Sequence, residues 1–317
     1  MRGRRRRYPW DGPGPRSRLL TLAGAWLAWR WFGPEPTLGF EGQQTRPEGP
    51  PGRSLVVGRH EFFVREVGPI DAPKVLLLHG WLYDSHMTWH RVTPLLAERH
   101  RVITVDLRNH GKSDRIRERF DVAELADDVA RLLDSLGIGP VPVVGYSLGG
   151  MVAQELALRS PTRVTSLVLA ATAARPVAVP RWITVPLFVL LRAVSRIDRF
   201  LLPRLAFGYL RRSGAVPPEH TAWLWRSLLD RDLDLYWAAG FAILRFDATA
   251  RLSGIKVPTT CLITPKDQLV WVDRQRETAD AISGATVVEL AGGRHEAVFT
   301  HADEIAKVIV EAADRIA

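Results

Sequence analysis

From about residue 54 the chain alternates short, nearly continuous apolar runs with longer stretches whose apolar residues recur every three or four positions. Ser54–Val57 and Glu61–Glu66 read as a hairpin. Val75–Leu78, Val102–Val105, Val141–Val144, Val164–Leu169, Thr260–Ile263 and Val287–Leu290 predict buried strands, because a strand covered on both faces is apolar at successive positions. The clearest helix is Asp121–Gly137, where Val122, Leu125, Val129, Leu132, Leu133 and Leu136 fall on one face. Asp121 and Glu124 suit a capping box, and Gly137 suits the C-terminal stop. Strands alternating with helices predict an α/β fold with a mainly parallel, doubly wound sheet.

One stretch departs from this rhythm. Residues 175–250 contain no convincing strand but hold the helical stretches Trp182–Val194, Phe200–Leu210 and Thr221–Phe246. They predict a helical cap inserted into a core built from residues 54–174 and 251–317. The apolar run from Trp182 to Leu191 is expected to pack mostly on that core.

Residues 1–53 form an extension of a different kind. Met1–Arg18 is rich in Arg, Pro and Gly, Leu19–Phe32 is apolar with Arg30 as its only charge, and Gly33–Arg53 reads as a linker. A helix over Leu19–Phe32 would be about 21 Å long, shorter than the roughly 30 Å hydrocarbon core of a bilayer. A full membrane span is therefore not expected. Three readings stand: a peripheral anchor whose tryptophans sit at the headgroups of an anionic membrane, a targeting peptide for export, or a helix packed on the domain. The protein is accordingly expected in the cytoplasm or at a membrane surface, unless that peptide exports it.

Charge adds one refinement. The 317 residues carry a net charge of +9, from 43 Lys and Arg against 34 Asp and Glu. Residues 1–18 hold seven of those arginines and one acid, so most of the excess belongs to the tail. The folded body gives little reason to expect nucleic-acid binding. An apolar fraction of 46% with 24% charged residues excludes collagen-like, disulfide-scaffold and wholly disordered chains. Cys261 is the single cysteine, which rules out an intramolecular disulfide.

The chemistry begins at Gly145-Tyr146-Ser147-Leu148-Gly149, between the strand at Val141–Val144 and a helix running to Arg159. A serine at such a strand-to-helix elbow adopts a strained backbone, and the residues two before and two after it must be small for strand and helix to approach. Gly145 and Gly149 meet that requirement. The helix N-terminus aims N–H groups at the serine's reaction centre.

Together with His79-Gly80-Trp81 after the third strand, the run Asp106 to Asp114 after the fourth, Thr264-Pro265-Lys266-Asp267 and Gly292-Gly293-Arg294-His295, this elbow makes the chain resemble the α/β-hydrolase superfamily. Its capped serine esterase and lipase-like members are the nearest in pattern. The resemblance covers about residues 54–317. It implies a Ser-His-Asp catalytic triad in the chain order Ser147, Asp267, His295. Among nine histidines, His295 alone follows the last predicted strand in a Gly-rich loop, with His301 as the fallback base. His79 and His110 lie in turn motifs and are expected to be structural. Asp267 follows the strand at Thr260–Ile263 by a short loop, whereas Asp273 suits a helix start. The oxyanion hole is inferred from the backbone N–H groups of Leu148 and Trp81.

Other readings are weaker. Gly111-Lys112-Ser113 resembles the end of a P-loop, but Asp106 stands where its first glycine is needed. No histidine pair has convincing zinc spacing, and no G-x-G-x-x-G follows a strand, so neither metal nor cofactor is expected. A serine nucleophile disfavours the superfamily's epoxide hydrolases and dehalogenases, which use a carboxylate. The expected activity is hydrolysis of a small-molecule or lipid carboxylic ester, of hydrophobic character, through an acyl-enzyme. Perhydrolase, carbon–carbon hydrolase and acyltransferase activities share the same triad, and a non-catalytic hydrolase-fold binding protein is the alternative of another class.

Overall fold

A computed structural model of the protein describes Gly24, residues 38–40 and residues 42–315. The Arg-rich tail and, apart from Gly24, the Leu19–Phe32 segment lie outside the described residues. Eight strands form one sheet: β1 (Gly52–Val57), β2 (His60–Val67), β3 (Lys74–Leu78), β4 (Arg101–Asp106), β5 (Val141–Tyr146), β6 (Val164–Ala170), β7 (Thr259–Ile263) and β8 (Thr286–Glu289). Their order is β1-β2-β4-β3-β5-β6-β7-β8. β1 and β2 form the expected hairpin, β2 runs antiparallel to β4, and the strands from β4 to β8 are parallel.

The central strands are apolar at successive positions because both faces are covered. In β3, Leu76 and Leu78 join one buried cluster, with Leu125, Val129 and Leu132, while Val75 and Leu77 join the other, with Trp89, Phe299 and Ile305. The helices that supply these covers are α1 (Ser85–Trp89), α2 (Val92–Ala97), α3 (Val122–Ser135), α4 (Leu148–Arg159), α5 (Arg181–Ile197), α6 (Leu201–Arg212), α7 (Thr221–Leu229), α8 (Leu233–Arg245), α9 (Val272–Asp280), α10 (Ala297–Thr300) and α11 (Ala302–Asp314). α3 begins with the Asp121–Glu124 capping box, and Gly137 beyond its end has φ +62°. Among the described residues no helix is long and apolar enough to cross a membrane.

Four expectations change. β8 was expected to be buried, but it is an edge strand with only β7 beside it, and Val287 is exposed. The stretch Thr221–Phe246 is two helices rather than one, because Asp232 accepts the N–H groups of Asp234 and Leu235 and starts α8 anew. The linker expected to reach Arg53 is tied down over its second half. Thr45 donates its N–H to the Glu219 carbonyl, Gln44 accepts that of Ala222, and Phe40 meets Phe207 of α6 edge to face. Lastly, the run Trp182–Leu191 does not pack mostly on the core: α5 turns most of those side chains outward.

The order of strands also places the site. From β3 the chain steps to β4 on one side, and β5 then forms on the other side of β3. The loops leaving β3 and β5 therefore diverge, and a crevice opens between them at the carboxyl ends of the strands.

Candidate active site

Ser147 sits at this crevice, between β5 and α4, with φ 54° and ψ −115°. A non-glycine residue there is strained by about 1–3 kcal/mol. Bonds to the end of β6 and the loop after it hold it: the Ser147 N–H donates to the Ala170 carbonyl at 2.9 Å, and the Thr172 hydroxyl donates to the Ser147 carbonyl at 2.8 Å. A Cβ on Gly145 would lie 2.4 Å from the Gly149 carbonyl oxygen, and one on Gly149 would lie 2.2 Å from that of Leu78. Only glycines let α4 start this close to β5 and β3.

His295 and Asp267 come to the same place from the loops after β8 and β7. His295 Nε2 is 3.1 Å from Ser147 Oγ, and Nδ1 is 2.8 Å from Asp267 Oδ2. With the carboxylate accepting from Nδ1–H, Nε2 is left to accept the serine proton. Asp267 is fixed by more than this bond. Its Oδ1 accepts the N–H groups of Leu269 and Val270, each at 2.8 Å, and its Oδ2 accepts from Thr264 Oγ1 and Gln275 Nε2. Burial on its own would raise the Asp267 pKa. The facing His295 and the two backbone N–H groups outweigh burial and hold the carboxyl below its ordinary range. The Tyr146 hydroxyl donates to the His295 carbonyl and anchors the loop of His295 over β5. All three side chains are at least nine-tenths buried.

The loop after β3 lies against Ser147. A Cβ on Gly80 would fall 3.4 Å from Ser147 Cβ. The orientation of its next peptide is set by His79. The Leu107 N–H donates to His79 Nε2 at 2.9 Å, so the ring's proton is on Nδ1, which donates to the Gly80 carbonyl at 2.8 Å. In a planar trans peptide, a carbonyl held by His79 directs the Trp81 N–H to the opposite side. Leu148, whose N–H is the other inferred donor, opens α4. Burial lowers the His79 pKa to about 4, which keeps the ring neutral.

The remaining candidates fall elsewhere. His110 is buried, donates from Nδ1 to the Arg108 carbonyl, and has its pKa lowered to about 3 by burial and by His79. His301 contacts the Ala291 carbonyl and Thr300, not Asp267. Asp273 lies in the first turn of α9. Among the described residues no group of three or more His, Cys, Asp or Glu gathers as a metal site. Tyr146, Gln275 and Thr172 support the site without having been singled out from sequence. Tyr146 is the variable position inside the elbow motif, and nothing local marks Gln275, whose contacts exist only once α9 docks.

Above the site, the Trp81 indole stacks on Tyr236 and Phe188 at centroid distances of 5.1 and 6.1 Å, and donates to the Tyr236 carbonyl. A neighbouring cleft of about 660 Å³ lies between α7–α8 and the loops after β3 and β4. Its walls are charged, with Lys112, Arg115, Arg226 and Arg231 against Asp84 and Asp232, and Ser147, Asp267 and His295 are not among them.

Known proteins share this arrangement of strands and loops. A family model described as the α/β hydrolase fold matches residues 73–302. A pimeloyl-[acyl-carrier protein] methyl ester esterase of Chromobacterium violaceum is 31% identical over 262 residues, covering 79% of this chain and 97% of that protein. One of the same name from Neisseria meningitidis is 30% identical, over 76% of this chain and 93% of that protein. The crystal structure of an enol-lactonase from Burkholderia xenovorans LB400 superposes with a TM-score of 0.72 at 28% identity, covering 82% of this chain and 98% of that one. With the model spanning both loops that carry Ser147 and His295, and relatives matched over nearly their whole length, this chain belongs to the α/β-hydrolase fold family.

Proposed function

We propose that the protein is a serine hydrolase of carboxylic esters, with Ser147 as nucleophile, His295 as base and acid, and Asp267 as the group that orients and stabilises the imidazolium. The observation that carries this reading is the unbroken hydrogen-bond series from Ser147 Oγ through His295 to Asp267, on a strained elbow. His295 Nε2 takes the Ser147 proton as Oγ bonds to the ester carbonyl carbon. The oxyanion is stabilised by the N–H groups of Leu148 and Trp81, each such donor being worth about 10²–10³ in rate. Collapse expels the alkoxide, which takes the proton from His295 and leaves as the alcohol. Water, deprotonated by the same nitrogen, then releases the acid and restores Ser147.

The relatives' names support ester hydrolysis as the reaction class. The Trp81, Phe188 and Tyr236 rings above the elbow favour an apolar acyl or alkyl group. Labelling by a fluorophosphonate probe that maps to Ser147, followed by turnover of p-nitrophenyl esters graded in chain length, tests both parts. A folded protein that neither labels nor turns over any ester would instead be a hydrolase-fold binding protein.

A further inference from the structure

Helix α5 has its polarity inverted. A helix on a protein surface normally buries its apolar stripe and shows its polar face to water. α5 is held to the body largely by polar groups. Ser195, fully buried, accepts the Trp237 indole N–H at 2.9 Å, Arg192 and Arg196 pair with Asp234, and Arg181 donates to the carbonyls of Leu244 and Arg245. Phe188 is its apolar anchor, set among Trp81, Trp237 and Phe241. The outward face carries Trp182, Ile183, Leu187, Val189, Leu190 and Ile197, with Trp182 77% and Leu190 59% exposed. Among the described residues, nine of the fifteen large apolar side chains that stand well out of the surface fall within residues 179–205. So dense a patch marks an interaction surface.

We propose that this face of α5, extended by Leu205 of α6, docks the protein on an anionic lipid bilayer, independently of the activity assigned above. Charge selects this occupant. Residues 175–212 hold eight arginines and a single acid, Asp198; Asp234 pairs with Arg192 and Arg196, and Arg204, Arg211 and Arg212 of α6 are among the others. An apolar helix face in an arginine-rich stretch matches the interface of a bilayer, where the apolar side chains enter the acyl boundary and the guanidinium groups meet lipid phosphates. The same charge opposes a second copy of this face and opposes the N-terminal tail, which is itself strongly basic. The path of the chain points the same way. Phe40 packs on Phe207 of α6, the helix that also carries Leu205, and only residues 33–37 separate Leu38 from the apolar segment Leu19–Phe32.

The test uses the full chain and vesicles of phosphatidylcholine with or without phosphatidylglycerol. Cys261 is buried, so a cysteine placed by Leu190→Cys takes an environment-sensitive fluorophore selectively, with Glu311→Cys as the control position. The label at 190 should shift to the blue on adding anionic vesicles, the label at 311 should not, and neutral vesicles should act weakly. The double variant Val189→Asp/Leu190→Asp should lose at least about tenfold in vesicle partition while turning over a short soluble ester as the wild type does. Each Arg→Glu change at Arg204, Arg211 or Arg212 should cost about fivefold or more. Three results would overturn the proposal: a label at 190 already sheltered without lipid, meaning that the tail or a second copy covers the face; vesicle binding with an unmoved label, meaning that the tail alone holds the membrane; or wild-type binding by the double variant.

Discussion

Asp267→Asn separates an orienting carboxylate from a merely buried one. The substituted amide has one oxygen and one NH₂, and the surroundings decide which goes where. On the Oδ1 side stand two backbone N–H groups, Leu269 and Val270, both at 2.8 Å. Turning the NH₂ toward them would leave two buried donors without acceptors, at about 1–3 kcal/mol each. On the Oδ2 side the Thr264 hydroxyl can turn to Gln275 Oε1 and Gln275 Nε2 already donates to the Val270 carbonyl, so the oxygen stays with the loop and the NH₂ takes the place of Oδ2, facing His295 Nδ1. Two donors cannot share that contact, so His295 moves its proton to Nε2 and accepts from the amide through Nδ1. Nε2–H then faces Ser147 Oγ, and the base has lost its lone pair where it is needed. The expected loss is about 10⁴ in kcat, the scale set by the wrong tautomer at such a triad, with KM nearly unchanged. Steady-state kinetics on a p-nitrophenyl ester decides it, with circular dichroism to verify the fold. A variant within tenfold of the wild type would show that Asp267 does not orient the base.

The other outcomes follow from separate contacts. Ser147→Ala and His295→Ala should each abolish turnover to a similar extent, since the members act as a unit, whereas His301→Ala should stay within about twofold; the reverse ranking of the two histidine variants would reassign the base. Gly149→Ala should yield little soluble enzyme, because its Cβ would meet the Leu78 carbonyl at 2.2 Å, and normal expression with normal activity would contradict the packing described for the elbow. His79, His90 and His110 are buried neutral, their pKa values lowered by burial to about 4, 4 and 3. The unfolded chain, with ordinary histidine pKa values near 6.5, binds more protons than the folded one below that pH. Stability should therefore be full above about pH 6.5 and fall as the pH drops toward 4; urea midpoints that do not change between pH 7.5 and 5 would refute this.

What could be read from sequence was what depends on neighbours along the chain. The elbow needs Gly145, Ser147 and Gly149 within one turn, and the capping box of α3 needs only Asp121 and Glu124, so both are visible as strings. The sequence positions of Asp267 and His295 followed from loops after strands, and the folded chain brings their side chains to Ser147. Burial is a property of packing between distant segments, and there the pattern misleads. Val287 is apolar in a strand, yet an edge leaves it half in solvent. Trp182 to Leu190 is apolar in a helix, yet the stripe that packs inward includes Thr184 and Ser195. Gln275 is polar on a polar helix, and only the docking of α9 reveals that it accepts the Thr264 N–H and donates to Asp267.

The four helices between β6 and β7 have a consequence for the order in which the molecule assembles. β6 and β7 are hydrogen-bonded neighbours, but residues 171–258 separate them in the chain. Closing so long a loop costs only about 0.6 kcal/mol more for each doubling in length, so the equilibrium fold tolerates the insertion easily. Folding kinetics is more sensitive to it, because distant pairings form late. On a ribosome, β3 to β6 and the elbow of Ser147 emerge together, while the partner of that serine is 148 residues further on. A nascent chain thus presents Ser147, the proposed nucleophile, without His295 until β7 and β8 dock. Hydrolytic competence should accordingly arrive as a single late event of folding, and products of premature termination before His295 should be inert toward esters.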